Sequence, residues 1–524
     1  MRWFNRHSSF CHYIHTSTFS TANLKPNHQI NTNRLTDQTT TLQNVVSWNR
    51  TISKCLRNSQ IIKAQSLFDK MPAKDIVSYN TILSGLNQAK NPEKVCQVFL
   101  EMERAGLKPN EYTLSIILSA VLNTELKLLV PQIHARIICL ALNASVFVGS
   151  ALMKAYANSG DGVGLSKAFY EILNKDVTSW NALVSGYMEL GCMHEAQKTF
   201  DTMPEKDVVS WTTLVNGYIR NKRIKKARSI FNKITGKNVI SWTVMISGYV
   251  QSERFVDALK LFVLMVKSDT MPNKFTYSSV LDACAGCCSL LVGQQVHSSI
   301  MKFGIPEDVI LSTSLVDMYA KCGDIDAAFY VFESMQRKNL ASWNSMIGGY
   351  GRHGLGKRAL EEFERMKKMG VKPDEVTFVN LLSACGHGGL VEEGEKHFDS
   401  METKHGIQAE AEHYACMVDL YGRAGQLDKA EKLIKEMPFE GDVVIWGALL
   451  GGCGLHSNIK LGELAAEGIS RLEKDHPAVY SMLTRIHGEN GAWNIVVKLR
   501  KMLNEKRVRK QKAGSWVESP FLEM

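Results

Sequence analysis

From residue 45 to residue 442 the apolar positions fall in short helical stripes that restart at regular intervals. The stretch 177–207 shows the pattern clearly. Trp180, Leu183, Val184 and Tyr187 occupy i, i+3, i+4 and i+7, one face of a helix. Gly191 stands just past that stripe, where a helix C-terminus favours glycine. A second stripe of Ala196, Phe200 and Met203 follows, and Pro204 cannot continue it. Ser179 is the expected N-cap of the first helix. The small Ala196 lets the two helices approach closely. Each repeat is therefore expected to be a helical hairpin.

A phrase marks many of the restarts: Val-Val-Ser-Trp-Asn at Val45, Ile-Val-Ser-Tyr-Asn at Ile76, and close variants at Val177, Val208, Val239 and Leu340. With the intervening stripes, twelve repeats begin at Val45, Ile76, Glu111, Val146, Val177, Val208, Val239, Lys274, Val309, Leu340, Glu375 and Ala411. Most are 31 or 35 residues long. A lone hairpin cannot bury its apolar face, whereas stacked hairpins can. The expected fold is all-α, an α-solenoid superhelix with a long inner groove, over residues 45–442. A helical extension is expected over 443–524.

Composition narrows this only a little. A net charge of +10 permits a polyanionic partner without requiring one. The twelve cysteines are neither dense nor evenly spaced, and are expected as reduced thiols. Apolar runs of membrane-spanning length are interrupted by charge. Residues 1–44 are expected as a transit peptide and disordered leader: the first 36 carry basic and hydroxyl side chains and no Asp or Glu.

The repeats resemble the pentatricopeptide repeat (PPR) family of plant organelles, in its subclass with mixed-length repeats. Ser-Leu-Val-Asp-Met-Tyr-Ala-Lys-Cys-Gly-Asp-Ile at 314–325 and His-Tyr-Ala-Cys-Met-Val-Asp-Leu at 413–420 carry the resemblance. The closing region, through Trp446, Trp493 and Trp516, resembles that family's E extension. The resemblance implies sequence-specific binding of single-stranded RNA, with one base read per repeat by the fifth and last residues. A ring N–H, on uracil or guanine, suits an Asp acceptor. A ring nitrogen acceptor, on cytosine or adenine, suits an Asn amide.

Carried across, Asn49 with Asp75, Asn181 with Asp207 and Asn344 with Asp374 imply U. Asn80 with Asn110 implies C or U, and Ser150 with Asp176 implies G. Thr212 with Asn238, Thr243 with Asn273 and Thr313 with Asn339 imply A. Ser278 with Asp308 would give G in a long repeat of the kind that reads poorly. Ser115 with Ser145, Val379 with Glu410 and Ala415 with Asp442 fall outside the pattern. The implied target is close to 5′-U-Y-N-G-U-A-A-N-A-U-N-N. Val46, Val77, Val209, Ile240 and Ile310, second in their repeats, are the implied stacking surfaces, while Thr178, Ala341 and Glu412 depart from the apolar preference. The competing explanation for the fifth and last residues is helix capping in a solvated groove.

Three motifs suggest other chemistry. Residues 351–358 read Gly-x-x-x-x-Gly-Lys-Arg, a phosphate loop with Arg358 where Ser or Thr would bind Mg²⁺ and with no preceding strand. Cys284-Ala-Gly-Cys287 lacks a second pair of ligands at zinc spacing. His487-Gly-Glu489 has the His-x-Glu of zinc-dependent base deaminases, but no cysteine follows it. No cofactor, metal or catalytic residue is expected. The expected role is an organellar RNA-specificity factor, mitochondrial with the plastid as alternative. It would direct C-to-U editing by a deaminase-bearing partner acting in trans. RNA stabilisation or splicing, and a protein-binding scaffold, are the alternatives.

Overall fold

The computed structural model describes residues 33–505, apart from 59, 123–124 and 307. Every regular element among them is helical. Residues 1–32, most of the expected leader, lie outside the described part, as does Trp516. The first described helix, Asn33–Arg57, reaches back over the end of the stretch expected as leader, because no Pro or Gly interrupts residues 33–45.

From Ile76 onward the first helix of each repeat begins at the residue the period predicts. Ile76–Gln88, Val177–Glu189, Val208–Arg220, Leu340–Arg352 and Ala411–Arg423 are examples. The reason is local. Asp75, Asn110, Asp176, Asp207, Asn273, Asn339 and Asp374 each stand just before a first helix in extended conformation, and each accepts a hydrogen bond from the backbone N–H three residues on. This corrects the expectation for Ser179. The cap is Asp176, whose Oδ1 accepts from Ser179 N–H at 2.8 Å. Ser179 lies inside the helix and donates from Oγ to Asp176 O at 2.8 Å. At Asp75, Asp207 and Asp374 the matching Ser or Thr completes a reciprocal capping box. Past the helix, Gly191 takes φ +74°, the left-handed conformation that reverses the chain toward Met193–Thr202.

The chain divides into two compact bodies, residues 1–248 and 249–524. In the first, Val177–Glu189 packs between Val146–Ser159 and Val208–Arg220, and Met193–Thr202 covers it from outside. In the second, Leu340–Arg352 packs likewise between Val309–Lys321 and Glu375–Gly388. The recurring Trp or Tyr is the joint between repeats. Its ring meets, edge to face, the Phe of the preceding second helix: Phe68–Tyr79, Phe169–Trp180, Phe200–Trp211, Phe231–Trp242 and Phe332–Trp343, with centroids 4.7 to 5.1 Å apart. A lysine just before the last residue seals the joint. Lys175, Lys206 and Lys237 each donate at 2.7 Å to a carbonyl at the second helix's end and stand over the same Phe ring.

The second body ends in Val443–His456, Ile459–Leu472, Pro477–Glu489 and Trp493–Glu505. Val443–His456 lies against Ala411–Arg423 so closely that a Cβ on Gly452 would come within 2.6 Å of Gly422 Cα. Among the described residues no helix is long and apolar enough to cross a membrane.

Candidate functional site

From Ile76 onward the second residue of each repeat sits in the first turn of its first helix, two residues before the place of the joint-forming Trp or Tyr; Val46 lies within the longer helix Asn33–Arg57. Val46, Val77, Val209, Ile240 and Ile310 are all more than half exposed. Sequence reasoning missed Tyr112, Phe147, Phe275 and Val376, which hold the same place and are equally exposed. The signal was present, since each follows a repeat start by one residue. Thr178, Ala341 and Glu412 are exposed too, so the departures from the apolar ladder stand.

The fifth residues lie one turn further along the same face. Where the fifth residue is Asn, the structure brings it to the last residue in three repeats. Asn80 Nδ2 donates to Asn110 Oδ1 at 3.3 Å, and Asn344 Nδ2 to Asp374 Oδ1 at 3.1 Å. Asn49 stands near the Asp75 carboxylate and helps hold its pKa down. Thr113 and Thr377 close the arrangement by donating to the Asn80 and Asn344 side-chain oxygens at 2.7 Å. Asn181 and Asp207 are not bonded to each other; Asn181 Oδ1 is buried without a partner, as are Asn49 Oδ1 and Ser150 Oγ.

Where the fifth residue is Thr, the hydroxyl is committed to the backbone. Thr212, Thr243 and Thr313 donate to Val208 O, Val239 O and Val309 O at 2.6 to 2.7 Å. The oxygen then offers only lone pairs outward, whereas an Asn offers N–H groups as well. The two repeat types thus present opposite hydrogen-bonding characters. The Ser278–Asp308 repeat differs again: Asp308 is paired with Lys274 at 2.7 Å, and Ser278 with Ser314 at 2.6 Å.

Burial on its own would raise the Asp75 and Asp374 carboxyls. Hydrogen bonds from Ser78 and Asn49, and from Thr377 and Asn344, outweigh it and hold both below the usual range. They are anionic acceptors at neutral pH. Capping accounts for Asp or Asn at these places but not for the choice between them, since both cap equally well. That choice is free to carry information.

These residues meet in a cleft of about 420 Å³ lined by Val77 and Tyr112 from consecutive repeats, Asn80, Asn110 and, at its far side, Arg57. A second cleft, about 320 Å³, is lined by Asn216, Arg220 and Asn221. Arg57, Arg220, Lys321, Arg352 and Arg423 hold the thirteenth place of their repeats, where the Val177 repeat has Glu189; Lys321 and Arg352 pair with Asp317, and Arg423 with Asp419. Arg220 reaches Glu189 of the preceding repeat at 3.3 Å.

The other motifs acquire structural explanations. Gly356 begins a helix pressed against Ala384 and Gly388, and Arg358 lies over Tyr350. Cys287 and Cys288 donate to helix-end carbonyls, and every described cysteine is a free thiol. His487 is buried, while Glu489 bonds Ser457 and Arg485. Among the described residues no cluster of His, Cys, Asp or Glu could hold a metal ion.

The PPR repeat family matches residues 46–76, 178–208, 209–239, 311–340, 376–405 and 412–442, and its paired form 74–123, 237–286 and 338–387. The E motif matches 456–518. A pentatricopeptide repeat-containing protein of Arabidopsis thaliana is 32% identical over 464 residues, 88% of this chain and 56% of its own length. Another from that plant, named mitochondrial, is 32% identical over 87% of this chain and 62% of its own length. A third is 32% identical over 87% of this chain and 81% of itself. The chain therefore spans little more than half the length of the first two. Among solved structures, the pentatricopeptide repeat protein PPR10 in complex with an 18-nt psaJ RNA element aligns over 97% of this chain and 73% of its own, at 17% identity and a TM-score of 0.48. The chain belongs to the pentatricopeptide repeat family and carries its E motif.

Proposed function

We propose that this chain binds single-stranded RNA along the face formed by the second, fifth and last residues of its repeats, reading a sequence close to 5′-U-Y-N-G-U-A-A-N-A-U-N-N. The observation that carries this is a cleft lined together by the exposed side chains of Val77 and Tyr112 and by the bonded Asn80–Asn110 pair. That is the geometry a stacked base needs if its edge is to be read.

The E motif and the uneven repeat lengths support the mixed-length subclass and, within it, a site-specificity factor for C-to-U editing. In this reading a deaminase-bearing partner supplies the chemistry. Relatives named mitochondrial favour the mitochondrion over the plastid as the place of action.

The test is binding of the purified chain to the proposed RNA and to a version with the U and A positions exchanged, across a salt series. A clear preference for the first at physiological salt is expected. Equal binding that fades with salt would mean phosphate contacts without base reading, and the proposal would fail.

A further inference from the structure

From Asp207 to Glu253 the chain contains no acidic residue. Within that interval, Lys222, Arg223, Lys225, Lys226, Arg228 and Lys233 occupy the inter-helix turn and the second helix, Ile224–Lys233. Five are exposed; Lys226 lies over the Tyr218 ring, and Arg228, half-buried, over Phe231. Among the described residues none of the six is in an ion pair. The other basic residues of this repeat are already engaged, Arg220 with Glu189 and Lys237 with Ile234 O. Second helices elsewhere differ: in Leu427–Glu436, Lys432 and Lys435 pair with Glu436 and Glu431 on the same helix.

Two features run against stability. Lys225 and Lys226 lie in the first turn, where the helix dipole disfavours cations. Lys222 takes φ +57° at the place where Gly160, Gly191, Gly323 and Gly354 stand in other repeats, a conformation that favours glycine, though Lys90, Glu253 and Cys288 adopt it at the same place. Unpaired like charges gathered at some conformational cost mark a surface kept for an anion. The turn adjoins the cleft lined by Glu189, Asn216, Arg220 and Asn221, where Arg220 is paired with Glu189, so the cations without an acidic partner begin at the groove's edge and continue onto the outer helix.

We propose that this outer face is a second RNA contact, a sequence-independent dock for phosphodiester backbone flanking the read segment. The proposal rests on the groove reading above and extends it to RNA outside the groove. A strand stepping over the edge at Arg220 meets Lys222 and Arg223, then Lys225, Lys226 and Lys233.

The experiment compares an RNA of only the twelve proposed nucleotides with the same target inside a transcript several times longer. It uses the wild-type chain, a Lys225→Glu/Lys226→Glu/Lys233→Glu variant, and a control of equal charge change, Lys396→Glu/Lys432→Glu/Lys435→Glu. The patch variant should bind the short RNA as wild type does, with the same base preference. It should bind the long RNA about tenfold or more weakly, with a salt slope shallower by roughly two, as loss of three phosphate contacts on a single strand predicts. The control should retain long-RNA binding. An equal loss on both RNAs, an equal loss in the control, or no loss on the long RNA would overturn the proposal. So would competition by polyglutamate that the patch variant abolishes while its long-RNA binding stays intact, which would assign the face to an acidic protein. If the wild-type chain shows no base preference on the short RNA, the groove reading fails instead, and the contrast between patch and control variants on long RNA still decides the patch.

Discussion

Asn344 illustrates how much one side chain does in this fold. It donates to Asp374, accepts from Thr377, and lies on the face shared by the exposed second residues. Replacing it by Thr should redirect the hydroxyl to Leu340 O, as Thr212 and Thr313 bond Val208 and Val309, and leave Asp374 free. Asn344→Thr is therefore expected to shift the preference at that nucleotide from U toward G. The change should be about tenfold, the scale of one hydrogen bond gained or lost, and competition binding with the two RNAs measures it. Trp343 lends itself to a stability test. It is almost fully buried, yet its indole N–H has no partner. Trp343→Ala should cost about 3–5 kcal/mol. Trp343→Phe should cost under about 1.5 kcal/mol, because it keeps the contact with Phe332 and removes an unsatisfied donor. Thermal denaturation of the two variants would separate these costs; equal losses would mean that the N–H is not a liability.

Helices here are set at both ends by residues that also face the groove. The N-cap carboxylates of Asp75, Asp207 and Asp374 are held below their ordinary range: burial opposes this, and the hydrogen bonds from Ser78, Ser210 and Thr377 prevail. Groups with depressed folded values stabilise above their unfolded value, near 4, and lose that contribution as pH falls through the folded value. The urea midpoint should therefore be insensitive to these groups from pH 6 to 8 and decline below about pH 4. Asp75→Asn/Asp207→Asn/Asp374→Asn, which keeps the caps but cannot ionise, should flatten that decline. The same variant separates capping from reading: helix content should hold while U preference is lost. Between elements the tightest joint is Gly452 against Gly422. Gly452→Ala is expected to cost about 1–3 kcal/mol through forced separation of two helices, visible as a lower melting temperature for the second body.

At the scale of the molecule, a repeat array makes each hairpin depend on its neighbours, so damage should spread along the chain from a broken joint. The periodic signals were legible because they are local. The hairpin period and the fifth and last positions follow from counting, and from Ile76 onward the first helices begin where the count places them. Ser179 was misassigned because Asp176 and Ser179 are both good caps, and only the geometry shows which lies outside the helix. Tyr112, Phe147, Phe275 and Val376 were legible by the same count, each following a repeat start by one residue, and the structure exposes them as it does the others. The lysines over the Phe rings were invisible for a different reason: a lysine before an Asp reads as solvent-facing until a ring is found beneath it.

The sequence by itself determined the helical hairpin, its period and the family, because apolar spacing, caps and turn glycines act within a few residues of one another. Only the tertiary structure decided which side chains meet. Asn80 reaches Asn110, Trp180 reaches Phe169, and Tyr112 comes to line one cleft with Val77, because hairpins must stack to bury their apolar faces, and stacking brings equivalent places of successive repeats onto one surface.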